Sequence, residues 1–294
     1  MAVPLNAQEG SGGTFIRSID SPGSTNDRRG VLLALLILGL LTSWVLLMLL
    51  FQYRLLPWLG RRLNDGDPVS GLMKCLAWWV TRVIHRTTYI DWDRIPAAID
   101  PDGRPGRGLI IAANHTAGID PLLVQVGIDR HIRWMMWDKM MVPQLDALWR
   151  RERIIPISMD QRDSTSIREA IRHLKAGGTI GIFPEGAIER PGRQLRPFHP
   201  GVGLLARMSG VPVVAVWISG TPYKETAYGS LLSPSHSRLQ AMGPFEYGKK
   251  QSPEEISEHL RQQVAQASGW PLNDEQIIEH ETPPTVGPFG HHLA

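Results

Sequence analysis

The chain opens polar, turns almost wholly apolar, and then settles into short apolar runs separated by polar stretches. Val31 to Phe51 carries no charge, and about 21 residues of helix span about 31 Å, the thickness of a bilayer core. The segment is apolar on every side, which fits lipid better than a half-buried core helix. With its flank it predicts a transmembrane helix over 31–53, starting too far from Met1 and running too long for a cleaved signal peptide. Arginines fall evenly around it, Arg17, Arg28 and Arg29 before and Arg54, Arg61 and Arg62 after, while Lys74 and Arg82 tip the balance towards a cytoplasmic C-terminal domain. A second stripe follows between Gly71 and Thr88, where Leu72, Cys75, Leu76, Trp79 and Val83 share one helical face and Lys74, Arg82 and Arg86 reach outward. Trp78 and Trp79 suit a headgroup layer, so 54–87 is expected to be a linker and an interfacial amphipathic helix; packing of the same stripe onto a protein core is the alternative.

Beyond this point the period changes. Gly108–Ala113, Ile132–Met136, Thr179–Phe183 and Val211–Ile218 are short apolar runs with the length and boundaries of buried strands. Between them lie helical patterns: Leu122–Ile128, a face of Ile167, Ile171 and Leu174, Val202–Ser209, and a face of Ile256, Leu260 and Val264. Ser166 with Glu169 and Ser252 with Glu255 have capping-box spacing, and Gly177-Gly178 is a stop. Strands alternating with helices predict one α/β domain over 88–270, a mixed, mostly parallel sheet flanked by helices. Residues 1–30, rich in Gly, Ser, Asp and Asn, and 271–294, with their prolines and glycines, are expected to be flexible.

Composition narrows the chemistry. A net charge of +3 in 294 residues is compatible with an anionic lipid surface but is mild, and no basic cluster with interleaved aromatics points to nucleic acid. The single cysteine, Cys75, excludes an intramolecular disulfide and a cysteine-rich metal site, and no histidine has a spaced metal partner, so no metal or other cofactor is expected. There is no P-loop and no Gly-x-Ser-x-Gly elbow; the glycines at 201 and 203 mimic a dinucleotide fingerprint but follow Phe198-His199-Pro200 instead of a strand.

His115 and Asp120, separated by Thr-Ala-Gly-Ile, are the most informative pair. They follow the strand run 108–113, and ligands of open α/β sheets bind at strand C-terminal ends. Histidine takes a proton from a hydroxyl near neutral pH, and a carboxylate on its other ring nitrogen fixes the tautomer and stabilises the imidazolium. Asp120-Pro121 is equally the pattern of an N-cap followed by a first-turn proline.

With Phe183-Pro184-Glu185-Gly186 and Val211-Pro212-Val213-Val214 following Asn114-His115 and Asp120 in order, the chain resembles the glycerolipid acyltransferases, whose best-known members act on 1-acyl-glycerol-3-phosphate. The resemblance covers roughly residues 70 to 245 and implies transfer of a fatty acyl group from acyl-CoA or acyl carrier protein, as co-substrate, to a lysolipid hydroxyl, with the enzyme at a membrane. It implies His115 as base, Asp120 as its orienter, and Asn114, Glu185 and Gly186 around the acceptor, with Lys139 near donor or phosphate. Two departures stand out. Met159 and Ile188 occupy places where the family usually has arginines that hold the acceptor phosphate; Arg153, Arg162 and Arg190 lie nearby, and Arg162 and Arg190 are the expected substitutes. A catalytically silent lipid-binding protein is the other reading these departures allow. Backbone amides over Thr116–Gly118 or beside Gly186 are the candidate oxyanion donors.

Overall fold

A computed structural model describes residues 25–55, 68–99, 106–158, 164–189, 192–224 and 228–274. Two units are distinguished, divided after Pro57. In the first, helix α1 runs Thr25–Leu50 and continues as a π-helical turn, Phe51–Leu55. Its side chains from Arg29 to Leu55 are exposed all round. The helix therefore begins earlier than the apolar run, at Thr25, with the polar Thr25 to Gly30 propagating from it although Gly30 is a weak helix former.

The second unit is the α/β domain. Helix α2, Pro68–Trp79, passes through a π-helical turn, Val80–Ile84. Leu72, Cys75, Leu76, Trp78, Trp79 and Val83 are exposed, whereas Gly71, Ala77, Thr81 and His85 are buried. The apolar stripe therefore faces away from the domain and small or polar residues face it, the reverse of a helix docked by its hydrophobic side. His85 closes the packing through Ser235 (2.8 Å) and the Leu231 carbonyl (2.9 Å).

Seven strands make the sheet: β1 Thr88–Ile90, β2 Leu109–Ala113, β3 Ile132–Trp137, β4 Ile155–Ile157, β5 Thr179–Ile182, β6 Val213–Ser219 and β7 Arg238–Phe245. Their order is β1-β7-β6-β2-β5-β3-β4, parallel except between β6 and β7. Alternation along the strands splits the core into two layers. Ile110, Ala112, Val213 and Ala215 meet α6 (Ser164–Lys175), α7 (Gly201–Ser209) and α8 (Pro253–Ser268). Leu109, Ile111, Ala113, Val214 and Val216 meet α3 (Arg94–Ile99) and α4 (Asp120–Val126) on the other face. A short α5, Asp146–Arg151, precedes β4.

Local signals fared unevenly. Ser252 and Glu255 form the reciprocal capping box, and Gly177 ends α6 with φ 87°. Ser166 is no cap: α6 starts at Ser164, and the Ser166 hydroxyl turns inward to donate to the Pro156 carbonyl. The start of the expected tail is ordered against the domain, since Leu195 exchanges backbone hydrogen bonds with Pro271 and Asn273 (3.0 and 2.9 Å) and Arg261 pairs with Asp274 at 2.9 Å.

Candidate active site

β2 is central, flanked by β6 and β5, and all three run parallel, so their C-terminal ends open onto one edge. The loops leaving them meet there. Asn114 continues β2 by one residue and is fully buried; its amide donates to the Ile218 carbonyl at 3.0 Å and accepts the Ile218 N–H at 2.7 Å. Its side chain is thus engaged with the backbone of β6, and its effect on the site is to fix where the next residue begins.

That residue is His115. Its Nδ1 lies 2.9 Å from Asp120 Oδ2, and Asp120 is completely buried. The same Oδ2 accepts the N–H groups of Thr116 (2.6 Å) and Ala117 (2.8 Å), and the Thr116 hydroxyl donates to Oδ1 at 3.2 Å. Asp120 therefore turns back onto the residues before it instead of capping the amides that follow, and Ile119, the N-cap of α4, makes no side-chain cap bond. Amides converging on one carboxylate hold it in one orientation. This use of Thr116 and Ala117 also removes them as oxyanion donors, and the Gly186 amide is occupied by the Phe183 carbonyl at 3.1 Å. Sequence gave no hint of Thr221, just beyond β6, whose hydroxyl donates to that of Thr116 at 2.7 Å and extends the network to a third strand end.

Glu185 performs the matching task from β5. It is 1% exposed; Oε1 accepts the His115 N–H at 2.9 Å and Oε2 the Arg196 N–H at 3.2 Å. Burial pushes its carboxyl up to about 8, against the pull of those two amides; buried Glu189 adds to the rise and the Arg196 charge opposes it. Glu189 closes the loop through its N–H on the His115 carbonyl, 2.7 Å. Gly186 supplies the turn, with φ 77°.

The imidazole is held on its face as well. It stacks on Phe183 with centroids 4.1 Å apart and planes at 14°, and Phe183 stacks on Trp134 at 4.8 Å and 8°. With Nδ1 on Asp120 and one face on Phe183, the partly exposed ring edge bearing Nε2 is the one left for chemistry.

The remaining expected residues are more dispersed. Lys139 is exposed at the end of β3, its ammonium 5.3 Å from the centre of the Trp137 ring. Arg153 lies exposed before the N-terminal end of β4, with φ 50° and its carbonyl taken by Arg133 at 2.8 Å. Arg162, Arg190 and Met159 lie outside the described residues. Ile188 is half-buried in the loop after β5. Among the described residues no cluster of His, Cys, Asp or Glu forms a metal site.

The Acyltransferase family pattern matches residues 86–219, which hold His115, Asp120 and Glu185 but not Thr221. A 1-acyl-sn-glycerol-3-phosphate acyltransferase of Limnanthes douglasii is 27% identical over 189 residues, 61% of this chain; the chain spans 59% of that relative's length. The crystal structure of the 1-acyl-sn-glycerophosphate (LPA) acyltransferase PlsC from Thermotoga maritima shares the fold, with a TM-score of 0.55, 20% identity, and coverage of 79% of this chain and 94% of that one. Over residues 86–219, the part that carries His115, Asp120 and Glu185 and less than half of its length, the chain is similar to the Acyltransferase family.

Proposed function

We propose that the protein is a membrane-bound O-acyltransferase that moves a fatty acyl group from an acyl thioester, on CoA or acyl carrier protein, to the hydroxyl of a 1-acyl-glycerol-3-phosphate or related lysolipid. The observation that carries the proposal is the His115–Asp120 pair, held from three strand ends with Nδ1 on the carboxylate and the imidazole partly exposed. In the proposed reaction Nε2 takes the proton of the acceptor hydroxyl as its oxygen attacks the thioester carbonyl. A C–O bond forms, the C–S bond breaks, and the proton passes from Nε2 to the departing sulfur, so the carrier leaves as a thiol. His115 acts as base and never as nucleophile. Asp120, held in place by its amide donors, stabilises the imidazolium between the two steps. Asn114 and Glu185 act by setting the backbone of His115, while Lys139, Arg162 and Arg190 are assigned to donor or acceptor charge.

Two features support the membrane. Arg29–Leu55 is a 27-residue apolar helix, about 40 Å at the helical rise. The outward stripe of α2 presents Leu72, Leu76, Trp78 and Trp79 to the surroundings, as an interfacial helix does. We assign one membrane pass with the catalytic domain on the cytoplasmic side.

The test is direct. Purified full-length protein in detergent is given labelled acyl-CoA or acyl carrier protein and a panel of lysolipids, and thioester consumption is followed together with the acylated product by lipid mass spectrometry. Acylated lysolipid that disappears with His115→Ala supports the reading. Lysolipid binding without thioester consumption would replace it with the silent lipid-binding reading, which the replacement of two arginines by Met159 and Ile188 favours.

A further inference from the structure

The face of the imidazole has a support of its own. Trp134 in β3 is in register with Gly181 in β5, and the indole lies flat across that glycine: a Cβ there would come within 2.6 Å of Trp134 Cε3 and 2.7 Å of Cζ3. The missing side chain at 181 is what lets the six-membered edge of the indole pass over the strand. Two residues along, Phe183 leaves β5 and its ring lies on the indole, 8° from parallel, and His115 lies on Phe183, 14° from parallel. Trp134 is 7% exposed, so the lower end of the stack is fixed in the core layer that also holds Ile111, Ala113 and Val216. Three rings from three neighbouring strands thus form one column ending at the imidazole.

We propose that Trp134 and Phe183 are positioning residues, an aromatic platform that seats His115 and stabilises the imidazolium formed when it takes the acceptor's proton. The inference rests on the base role assigned to His115. A neutral imidazole on a phenyl ring gains offset stacking, whereas a protonated one places positive charge within the reach of about 6 Å at which the negative face of the ring attracts a cation. The attraction is therefore stronger in the state that proton transfer creates, the condition under which a contact accelerates a reaction instead of merely binding a ligand. Asp120 acts in the ring plane and Phe183 perpendicular to it, so the two contributions are separable. Gly181 enters as the residue that admits Trp134, with no contact to substrate.

The experiment replaces Phe183 in the full-length protein with pentafluorophenylalanine, which keeps the ring's shape while reversing the sign of its face, alongside Phe183→Leu and Phe183→Tyr. Kinetics are read as kcat and KM for acyl donor and lysolipid, and stacking as the upfield ring-current shift of the His115 ring protons in selectively labelled protein. The fluorinated ring is expected to lower kcat about tenfold, the size of one partly desolvated cation–π contact, with both KM values unchanged. Phe183→Leu should lose the ring-current shift together with kcat, and Phe183→Tyr should recover most of both. Native kcat in the fluorinated protein, or a loss confined to KM, overturns the platform while leaving the acyl-transfer reading intact. A native protein as inert as its His115→Ala variant overturns both.

Discussion

Glu185 receives the backbone N–H of His115 at 2.9 Å on one carboxyl oxygen while its other oxygen receives the Arg196 N–H, so a buried acid just after β5 sets the main chain of the histidine that follows β2. Burial raises its pKa from an ordinary 4.5 to about 8. The folded protein then holds a proton that the unfolded chain has lost throughout that interval, so stability falls as pH rises between the two values. Glu185→Gln cannot ionise and should abolish this fall. It also offers only one acceptor for two amides, so it should be less stable than native protein at pH 5 and should gain on it towards pH 8. Thermal unfolding of both proteins in detergent across that range checks the sign; parallel curves would refute it.

Removal of the base is expected to be costly to turnover and mild to the fold. His115→Ala should lower acyl transfer by at least about 10²-fold, the lower end for loss of a general base. Asp120→Asn places an amide among Thr116 N–H, Ala117 N–H and His115 Nδ1, where a single acceptor remains. It should lose at least as much activity and also unfold at lower temperature. Steady-state kinetics with circular dichroism separates these outcomes, and near-native turnover in His115→Ala would sink the mechanism.

Attachment should have two layers. The full chain should stay in the membrane pellet through an alkaline carbonate wash. A chain beginning at Asp65 lacks the apolar helix but keeps the outward stripe of Leu72, Leu76, Trp79 and Val83, and should bind vesicles weakly and be released by the same wash. Release of the full chain at alkaline pH contradicts a membrane span.

Acceptor choice is where the chain is expected to depart most from the family it resembles. With Met159 and Ile188 in place of arginines, discrimination for a terminal phosphate monoester is expected to be weak, and a lysolipid whose phosphate carries a headgroup should compete. Each charge-assisted bond missing from a phosphate is worth about 1.5–3 kcal/mol, or roughly 10- to 100-fold in kcat/KM. If Arg162 or Arg190 has taken over, Arg162→Ala or Arg190→Ala should selectively raise KM for lysophosphatidic acid. A strong lysophosphatidic acid preference indifferent to both substitutions would contradict the assignment.

The strands and the dyad were legible because both are local. Short apolar runs determine β2 and β5, and His115 and Asp120 follow β2 within seven residues of its end. What spacing does not encode is the direction of a side chain's hydrogen bonds. Asp120-Pro121 has the pattern of a helix cap, yet the carboxylate turns back to Thr116, Ala117 and His115. Asn114 belongs to a motif expected around the acceptor, and its side chain is engaged with Ile218 across 104 positions of sequence. Thr221 and Trp134 depend on strand order and register, which periodicity leaves open. Only Gly181, an isolated glycine in an apolar strand, carried an advance sign that something approaches closely there.

The pinning of His115 on both flanks has a kinetic consequence. With Asn114 stitched to β6 and the His115 amide held by Glu185, the proposed base is already in place without substrate, so the proposed mechanism leaves little reorganisation for the chemical step. Under the proposed mechanism, selectivity does not come from assembling the base on demand, as in induced fit. It has to come from where the surrounding residues let the acceptor hydroxyl rest relative to a nitrogen that does not move.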